Sequence, residues 1–128
     1  MPTELKKQKV AELAELFSNS SILITADYSG LPVGQMNEMR RALQAEGVKF
    51  RVIKNSLALL AADASGKPAL KEVIEGQTGI AFGDGEPTVP AKAVSDYIRR
   101  SRSALKILGA EFEGQALNPQ QVTQLATL

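Results

Sequence analysis

Three short segments of the 128-residue chain carry side chains that could bind an anionic backbone. Residues 6–9 supply three lysines, residues 27–31 a tyrosine and a glycine that permits close backbone approach, and residues 51–56 cations beside a predicted helix start. Lysine and arginine bind phosphates, N–H groups at a helix start bind anions, and tyrosine stacks on bases or contacts ribose. This combination suits a folded RNA. The candidate contact residues are Lys6, Lys7, Tyr28, Ser29, Gly30, Leu31, Arg51, Lys54, Asn55 and Ser56.

The residue types give little support for an enzymatic function. The chain has no cysteine and no histidine, which excludes thiol catalysis, histidine acid–base catalysis and the usual zinc sites. The glycines at 76–79 and 83–85 lack the lysine and hydroxyl of a phosphate-binding loop and are typical of turns. A solvated surface is the simpler interpretation of three acidic pairs. These are Glu72/Glu75, Asp84/Glu86 and Glu111/Glu113, the last expected on one strand face. We therefore expect no enzyme, no cofactor and no metal site.

The composition is that of an ordinary globular domain. Hydrophobic residues make up 44% and charged residues 23% of the chain, and the formal net charge is +1. A basic site must therefore be a local cluster, because the bulk charge does not favour nucleic acid. The N-terminal residues lack the apolar core of a signal peptide, and the apolar runs are too short to span a bilayer. We expect one domain over residues 1–128, in the cytoplasm and away from membranes.

Helical and strand patterns alternate along the chain. The predicted helices are 3–18, 33–46, one from 55 or 56 to 64, a short one around 70–74, 89–101 and 120–127. The predicted strands are 22–26, 48–54, 78–82 and one that begins at 104 and ends at 108 or continues to 112. Asn55 or Ser56 is predicted to cap the third helix. This order predicts an α+β fold of the ferredoxin-like class, with a four-stranded, mainly antiparallel sheet, packed helices and an extra N-terminal helix. A small doubly wound sheet is the main alternative.

Chain connections predict that the three candidate segments meet. Helix 3–18 is roughly 24 Å long, and the following strand region, 21–28, is roughly 26 Å long. Their short connection makes them antiparallel, so residues 6–9 return to the loop at 27–31. The next strand runs parallel to the first across a helical crossover, which brings 51–56 to the same end of the sheet.

Two further features admit other interpretations. Arg99, Arg100 and Arg102 end a predicted helix, and cations there complement the helix dipole, so a structural role is favoured over a binding patch. The alternative function is a protein–protein adaptor of the same fold, without RNA binding, whose contact surface is the helix carrying Leu59 and Leu60.

Four segments, taken in their order, resemble one known family. They are ADYSGLPVGQMNEMRRAL, AEGVKFRVIKNSLALLA, GQTGIAF and FEGQALNPQQVTQLATL. The most specific parts are the aspartate–tyrosine–x–glycine–leucine loop at 27–31 and the valine–x–lysine–asparagine–x–leucine turn at 52–57. Over nearly the whole chain they are similar to the N-terminal domain of the bacterial large-subunit stalk-base protein, the ribosomal protein L-ten family.

The resemblance implies a structural role in the large ribosomal subunit. It implies binding of large-subunit ribosomal RNA at the GTPase-associated region, beside ribosomal protein L-eleven. In the family a C-terminal helix carries dimers of the stalk protein L-seven/L-twelve, which recruit translational GTPases, and members can repress translation of their own messenger RNA. The matched motifs imply RNA contacts at residues 28–31 and 54–56. The basic start of the first helix, Lys6 and Lys7, matches the family less specifically, and Arg51 lies at the same strand end as 54–56.

The chain departs from the family pattern in several places. Ser29 stands where the loop commonly has arginine, residues 57–60 are apolar where the helix is often basic, and Gln77 replaces a usual proline. We therefore expect weaker RNA binding, or a shallower salt dependence, than in a more basic member. The family continues past Leu128 into the helix for the stalk protein, so we expect a truncated domain that binds RNA and not the stalk protein.

Overall fold

A computed structural model describes residues 4–83 and 85–127 of the chain. The helices are α1 (Glu4–Asn19), α2 (Val33–Ala45), α3 (Asn55–Ala64), α4 (Thr88–Ser101) and α5 (Pro119–Ala126), with a 3₁₀ helix at Pro68–Val73. The strands are β1 (Ile22–Asp27), β2 (Lys49–Val52), β3 (Thr78–Gly83), β4 (Lys106–Phe112) and β5 (Gln115–Leu117). Residue 3, where the first helix is predicted to begin, and Asp84, one of the predicted surface acids, lie outside the described residues.

The strands form one antiparallel sheet in the order β2-β3-β1-β4-β5. In the central strand, Ile24 lies opposite Ala81 of β3 on one side and Ala110 of β4 on the other. β1 and β2 are both antiparallel to β3 and so run parallel to each other, as the crossover through α2 requires. The predicted α+β class with ferredoxin-like strand order is confirmed for the first four strands.

The predicted number of strands is wrong, because the structure has a fifth. β4 continues to Phe112, and the chain then turns at Gly114, whose φ of 83° is a conformation that glycine adopts without strain. β5 follows at once and pairs with β4, with Ala110 opposite Leu117. Its three residues are too few to show a strand period in the sequence, so pattern alone misses it.

Helices cover both faces of the sheet, and each face has its own apolar core. α1, α3 and the 3₁₀ helix enclose Phe17, Leu23 and Ile80 on one face. α2, α4 and α5 pack around Leu43 and Val94 on the other. Residues 22–26 of β1 are all buried, which explains why this strand reads as a continuous apolar run. Burying each large side chain contributes about 1.5–3 kcal/mol, so both faces hold the sheet in place. Within the described residues, no helix has the length and apolar character needed to cross a bilayer.

One predicted surface acid is instead part of the interior. Glu111 is 1% exposed on β4, whereas Glu113 is exposed in the turn after the strand, so the two acids do not share a strand face. Nζ of Lys67 lies 3.9 Å from Oε1 of Glu111, and the Gly114 N–H donates to Oε2 at 3.0 Å. A lysine 44 positions away supplies the compensating charge, which sequence spacing gives no reason to expect.

Candidate RNA-binding surface

The loops that follow β1 and β2 and those that precede β3 and β4 meet at one end of the sheet. Nδ2 of Asn55, at the start of α3, donates a 2.6 Å hydrogen bond to the carbonyl oxygen of Gly76. The Tyr28 N–H donates to the carbonyl oxygen of the next residue, Gln77, at 3.3 Å. The turn before β3 therefore joins the loop after β1 to the start of α3. We call the meeting segments, residues 4–9, 27–31, 53–56, 74–77 and 102–106, the basic end.

Charge is distributed unevenly between the two ends of the sheet. The basic end contains six of the chain's fifteen lysines and arginines and three of its fourteen acids. At the opposite end, residues 19–21, 44–48, 65–67, 85–87 and 112–115 contain three acids and one cation, Lys67, which donates to the carbonyl oxygen of Ser20. A protein with a formal charge of only +1 thus presents one positive pole, which attracts a polyanion locally.

A cleft between α1 and α3 carries the cations of the N-terminal helix to those of the second loop. It has a volume of about 270 Å³ and is lined by Lys6, Lys9, Lys54 and Ser56 with two leucines, Leu5 and Leu57. Lys9 and Lys54 are exposed and Lys6 is half-buried. Residues three apart lie on the same side of a helix, so Lys6 and Lys9 share the cleft. Lys7 is exposed and is not among the residues that line it.

The start of α3 offers backbone N–H groups to this cleft. The N-cap is Lys54, and no side chain caps the helix. The predicted cap is therefore wrong, because Asn55 is the first helical residue and its amide reaches Gly76 instead. The first intrahelical bonds run from Leu57 and Ala58 to Lys54. The N–H groups of Asn55 and Ser56 precede those bonds at the positive pole of the helix, beside the Lys54 ammonium, which is a favourable place for an anion.

The first loop is held in a fixed shape by its own residues. The Ser29 N–H donates a 2.8 Å hydrogen bond to Oδ1 of Asp27, and the Leu31 N–H donates to the carbonyl oxygen of Tyr28 at 2.9 Å. The bond from Ser29 lowers the pKa of Asp27 below its ordinary value, and the charge of Lys106 acts in the same direction. A Cβ on Gly30 would lie 3.1 Å from Cβ of Ala104, so glycine lets the loop sit close to the chain before β4.

Tyr28 and Leu31 are partly structural residues. Both are half-buried and pack against the core formed by α2, α4 and α5. Ser29 and Gly30, between them, are exposed. The loop is thus anchored through its two apolar side chains and presents its small residues outward.

Arg51 does not join the other candidates. It is exposed on the edge strand β2 and lines a groove of about 430 Å³ beside α1, together with Glu12, Glu15 and Lys49. Its guanidinium therefore faces a mixed-charge surface along the sheet edge, not the cleft at the basic end. Among the described residues no group of acidic side chains is arranged to hold a metal ion.

Comparison with known proteins identifies the family. Residues 1–99 match the family model described as ribosomal protein L10. The chain belongs to the ribosomal protein L10 family. It is 36% identical to the large ribosomal subunit protein uL10 of Thermomicrobium roseum over the whole chain and 71% of that protein. It is 38% identical to uL10 of Acidothermus cellulolyticus, over 100% of the chain and 73% of the relative, and 33% identical to uL10 of Clostridium tetani, over 98% and 72%.

Two cations at the basic end of this L10-family chain lie outside the three segments that the chain connections bring together. Within those segments, Lys9 lines the cleft beside Lys6. Lys106 lies opposite Asp27 in the β1–β4 pairing, and Arg102 ends α4 at the same end of the sheet. Neither of these two lies near a matched motif in sequence; the strand pairing brings Lys106 to the site, and the end of α4 brings Arg102.

Proposed function

We propose that the chain binds large-subunit ribosomal RNA through its basic end and thereby forms the base of the ribosomal stalk. As a member of the L10 family it is a structural, non-enzymatic component of the large ribosomal subunit, and hence a ribosomal and cytoplasmic protein. The observation that carries the RNA proposal is the cleft in which Lys6 and Lys9 meet Lys54 at the uncapped start of α3.

The geometry supports recognition of an RNA backbone. Lysines at the cleft neutralise phosphates and release counterions, which makes binding depend on salt. The N–H groups at the start of α3 and the exposed Ser29–Gly30 backbone can approach phosphate or ribose oxygens directly. Tyr28 contributes the exposed part of a half-buried ring. These contacts position a folded RNA by its shape.

The finer parts of the proposal come from the family resemblance. The target is the GTPase-associated region of the large-subunit RNA, and ribosomal protein L-eleven is the neighbour there. Residues 1–128 form the RNA-binding domain, and the stalk protein L-seven/L-twelve binds a helix outside them. The same surface also binds the chain's own messenger RNA, and this binding represses translation of that RNA.

The direct test is an equilibrium titration with the GTPase-associated RNA fragment, with and without L-eleven. An unrelated RNA of equal length is the control. Preferential binding of the ribosomal fragment in either condition is expected. Equal affinity for both RNAs in both conditions would refute the proposal. Co-elution of residues 1–128 with stalk dimers would refute the assignment of stalk binding to another segment.

The exposed leucines of α3 favour one competing function. Leu59 and Leu60 are 37% and 48% exposed, and they would form the contact surface of a protein–protein adaptor. In that case Leu60→Ser abolishes capture of the protein partner, and neither the unsubstituted chain nor the variant prefers the ribosomal RNA. Under the RNA proposal, Lys54→Ala weakens binding and Leu60→Ser does not, so the two variants separate the two functions.

A further inference from the structure

The segment between α4 and β4 lies directly beside the first RNA-binding loop. Lys106, the first residue of β4, is opposite Asp27 in the strand pairing. Two residues earlier, Ala104 is the neighbour that a Cβ on Gly30 would meet at 3.1 Å. Arg102 ends α4 immediately before this contact. Both cations are therefore two residues in sequence from Ala104, which contacts the loop. They lie on the β4 side of the loop, whereas Lys54 of the α1–α3 cleft follows β2, on the other side of β1 in the strand order.

Both of these side chains are available to a ligand. Arg102 and Lys106 are exposed. The ion pairs among the described residues join Lys67 to Glu111, Lys71 to Asp63 and Arg99 to Asp96, and neither Arg102 nor Lys106 takes part in one. The Ser29 N–H, which donates to Oδ1 of Asp27, and the charge of Lys106 both lower the pKa of Asp27.

The other two arginines of α4 lie beside acidic side chains of the protein. Arg99 is bound to Asp96 on its own helix at 2.7 Å. Arg100 lines the groove between α2 and α4, together with Glu46 and Asp96. Arg99 is therefore paired within the protein, and Arg100 lies in a groove that also contains acidic side chains.

The backbone at Arg102 argues against a purely structural role for its side chain. The residue has φ 52° and ψ 42°, the left-handed conformation that favours glycine at the end of a helix. The closing hydrogen bonds at this helix end are donated to the carbonyl oxygen of Ile98 by the backbone N–H groups of Arg102 and Ser103. Neither bond needs the guanidinium. Glycine would serve the turn better, and Arg99 and Arg100 already place cations in the last turn of α4, where they complement the helix dipole.

We infer that Arg102 and Lys106 form a second cationic arm of the RNA-binding surface. The first arm is the α1–α3 cleft, and loop 27–31 lies between the two. The ligand of the second arm is the phosphate backbone of the same folded RNA, bound by one guanidinium and one ammonium group. This inference rests on the proposed function and extends its site across the end of the sheet.

The test uses Arg102→Gly and Lys106→Gln in salt-dependent titrations with the ribosomal RNA fragment. Each variant should weaken binding about five- to tenfold at 0.1 M salt and reduce the slope of log K against log salt by about one. Arg102→Gly should melt at the same or a higher temperature, because glycine relieves the left-handed turn. A substitution that raises stability and lowers RNA affinity is not expected at a residue whose role is only structural.

Two control variants separate the arm from general effects. Lys92→Ala removes an exposed cation from the first half of the same helix, far from the basic end, and should leave the slope nearly unchanged. Glu113→Gly relieves the other left-handed non-glycine residue, φ 51°, at the opposite end of the sheet. It should raise stability without weakening RNA binding.

The outcomes distinguish this inference from the proposed function. If the unsubstituted chain prefers the ribosomal fragment and both arm variants keep its slope, the second arm is overturned and the proposed function stands. A loss in Lys92→Ala equal to that in the arm variants also overturns it, since bulk charge then explains the effect. If the unsubstituted chain does not distinguish the two RNAs, both fail.

Discussion

The Lys67→Met substitution removes the charge that accompanies a buried carboxylate. The ammonium of Lys67 lies 3.9 Å from Oε1 of Glu111 and donates a 2.8 Å hydrogen bond to the carbonyl oxygen of Ser20. These contacts hold the start of the 3₁₀ helix against the turn before β1 and against β4. Methionine keeps the length of the side chain, so the change leaves a carboxylate out of water without its partner.

The magnitude follows from the burial of the pair. The side chain of Glu111 is 2% exposed and that of Lys67 18%. Removing one member of a buried ion pair costs about 3 kcal/mol or more. For a chain of 128 residues the entropy of unfolding is about 270 cal/mol/K. A loss of about 3 kcal/mol therefore lowers the melting temperature by about 11 °C. Replacing both partners by apolar residues, Lys67→Met with Glu111→Leu, should change stability by only about 1 kcal/mol.

Urea denaturation followed by circular dichroism measures these free energies in a double-mutant cycle. The four chains are the unsubstituted protein, the two single variants and the double variant. We expect a coupling energy of about 2 kcal/mol between the two positions. Strictly additive losses, or a loss below about 1 kcal/mol for Lys67→Met, would refute the account of Glu111 as a buried carboxylate compensated by Lys67.

Three further predictions concern the loop, the cleft and the sheet. Asp27→Asn should make the fold less stable than the unsubstituted chain at pH 6, because the ionised Asp27 stabilises the folded state. This difference should disappear as the pH falls below 3.8, the ordinary aspartate value, through the lowered pKa of the folded state. A difference in the free energy of unfolding that stays constant with pH in urea denaturation would contradict this. Lys54→Ala should weaken RNA binding about five- to tenfold at 0.1 M salt with an unchanged melting curve, and equal binding would remove Lys54 from the site. Gly79→Ala should destabilise the fold by about 1–3 kcal/mol, because its Cβ would overlap the Phe50 ring. Gly34→Ala, in open space on α2, should instead stabilise the fold by about 0.5–1 kcal/mol. Equal melting temperatures for the two variants would contradict this expectation.

Most of the fold is predictable because its elements carry strong local patterns. The apolar run at 22–26 and the helical spacing of Leu13 and Phe17 predict a buried strand and a buried helix face, and both are confirmed. The βαβ connection predicts that β1 and β2 are parallel. β5 is missed because three residues show no period, and the burial of Glu111 is missed because its partner lies far away in sequence.

The candidate site is predictable only where connections or motifs bring its residues together. The antiparallel packing of α1 on β1 predicts the meeting of the N-terminal lysines with Lys54, and the cleft contains Lys6 and Lys54 together. Arg51 is adjacent in sequence to this site but lines a different groove, because it lies within β2, beside the later turns of α1 at Glu12 and Glu15. Lys106 is distant in sequence but reaches the site through its pairing with Asp27. Register between strands is a tertiary property that single-sequence patterns do not contain.

Binding of ribosomal RNA by the basic end is tested by comparing two chains. The unsubstituted chain and the double variant Lys9→Gln/Lys54→Gln are titrated with the GTPase-associated RNA fragment between 0.05 and 0.2 M salt, with an unrelated RNA as control. We predict preferential binding of the ribosomal fragment and a salt slope that is lower by about two in the double variant. An unchanged slope, or no preference for the ribosomal fragment, would contradict the account.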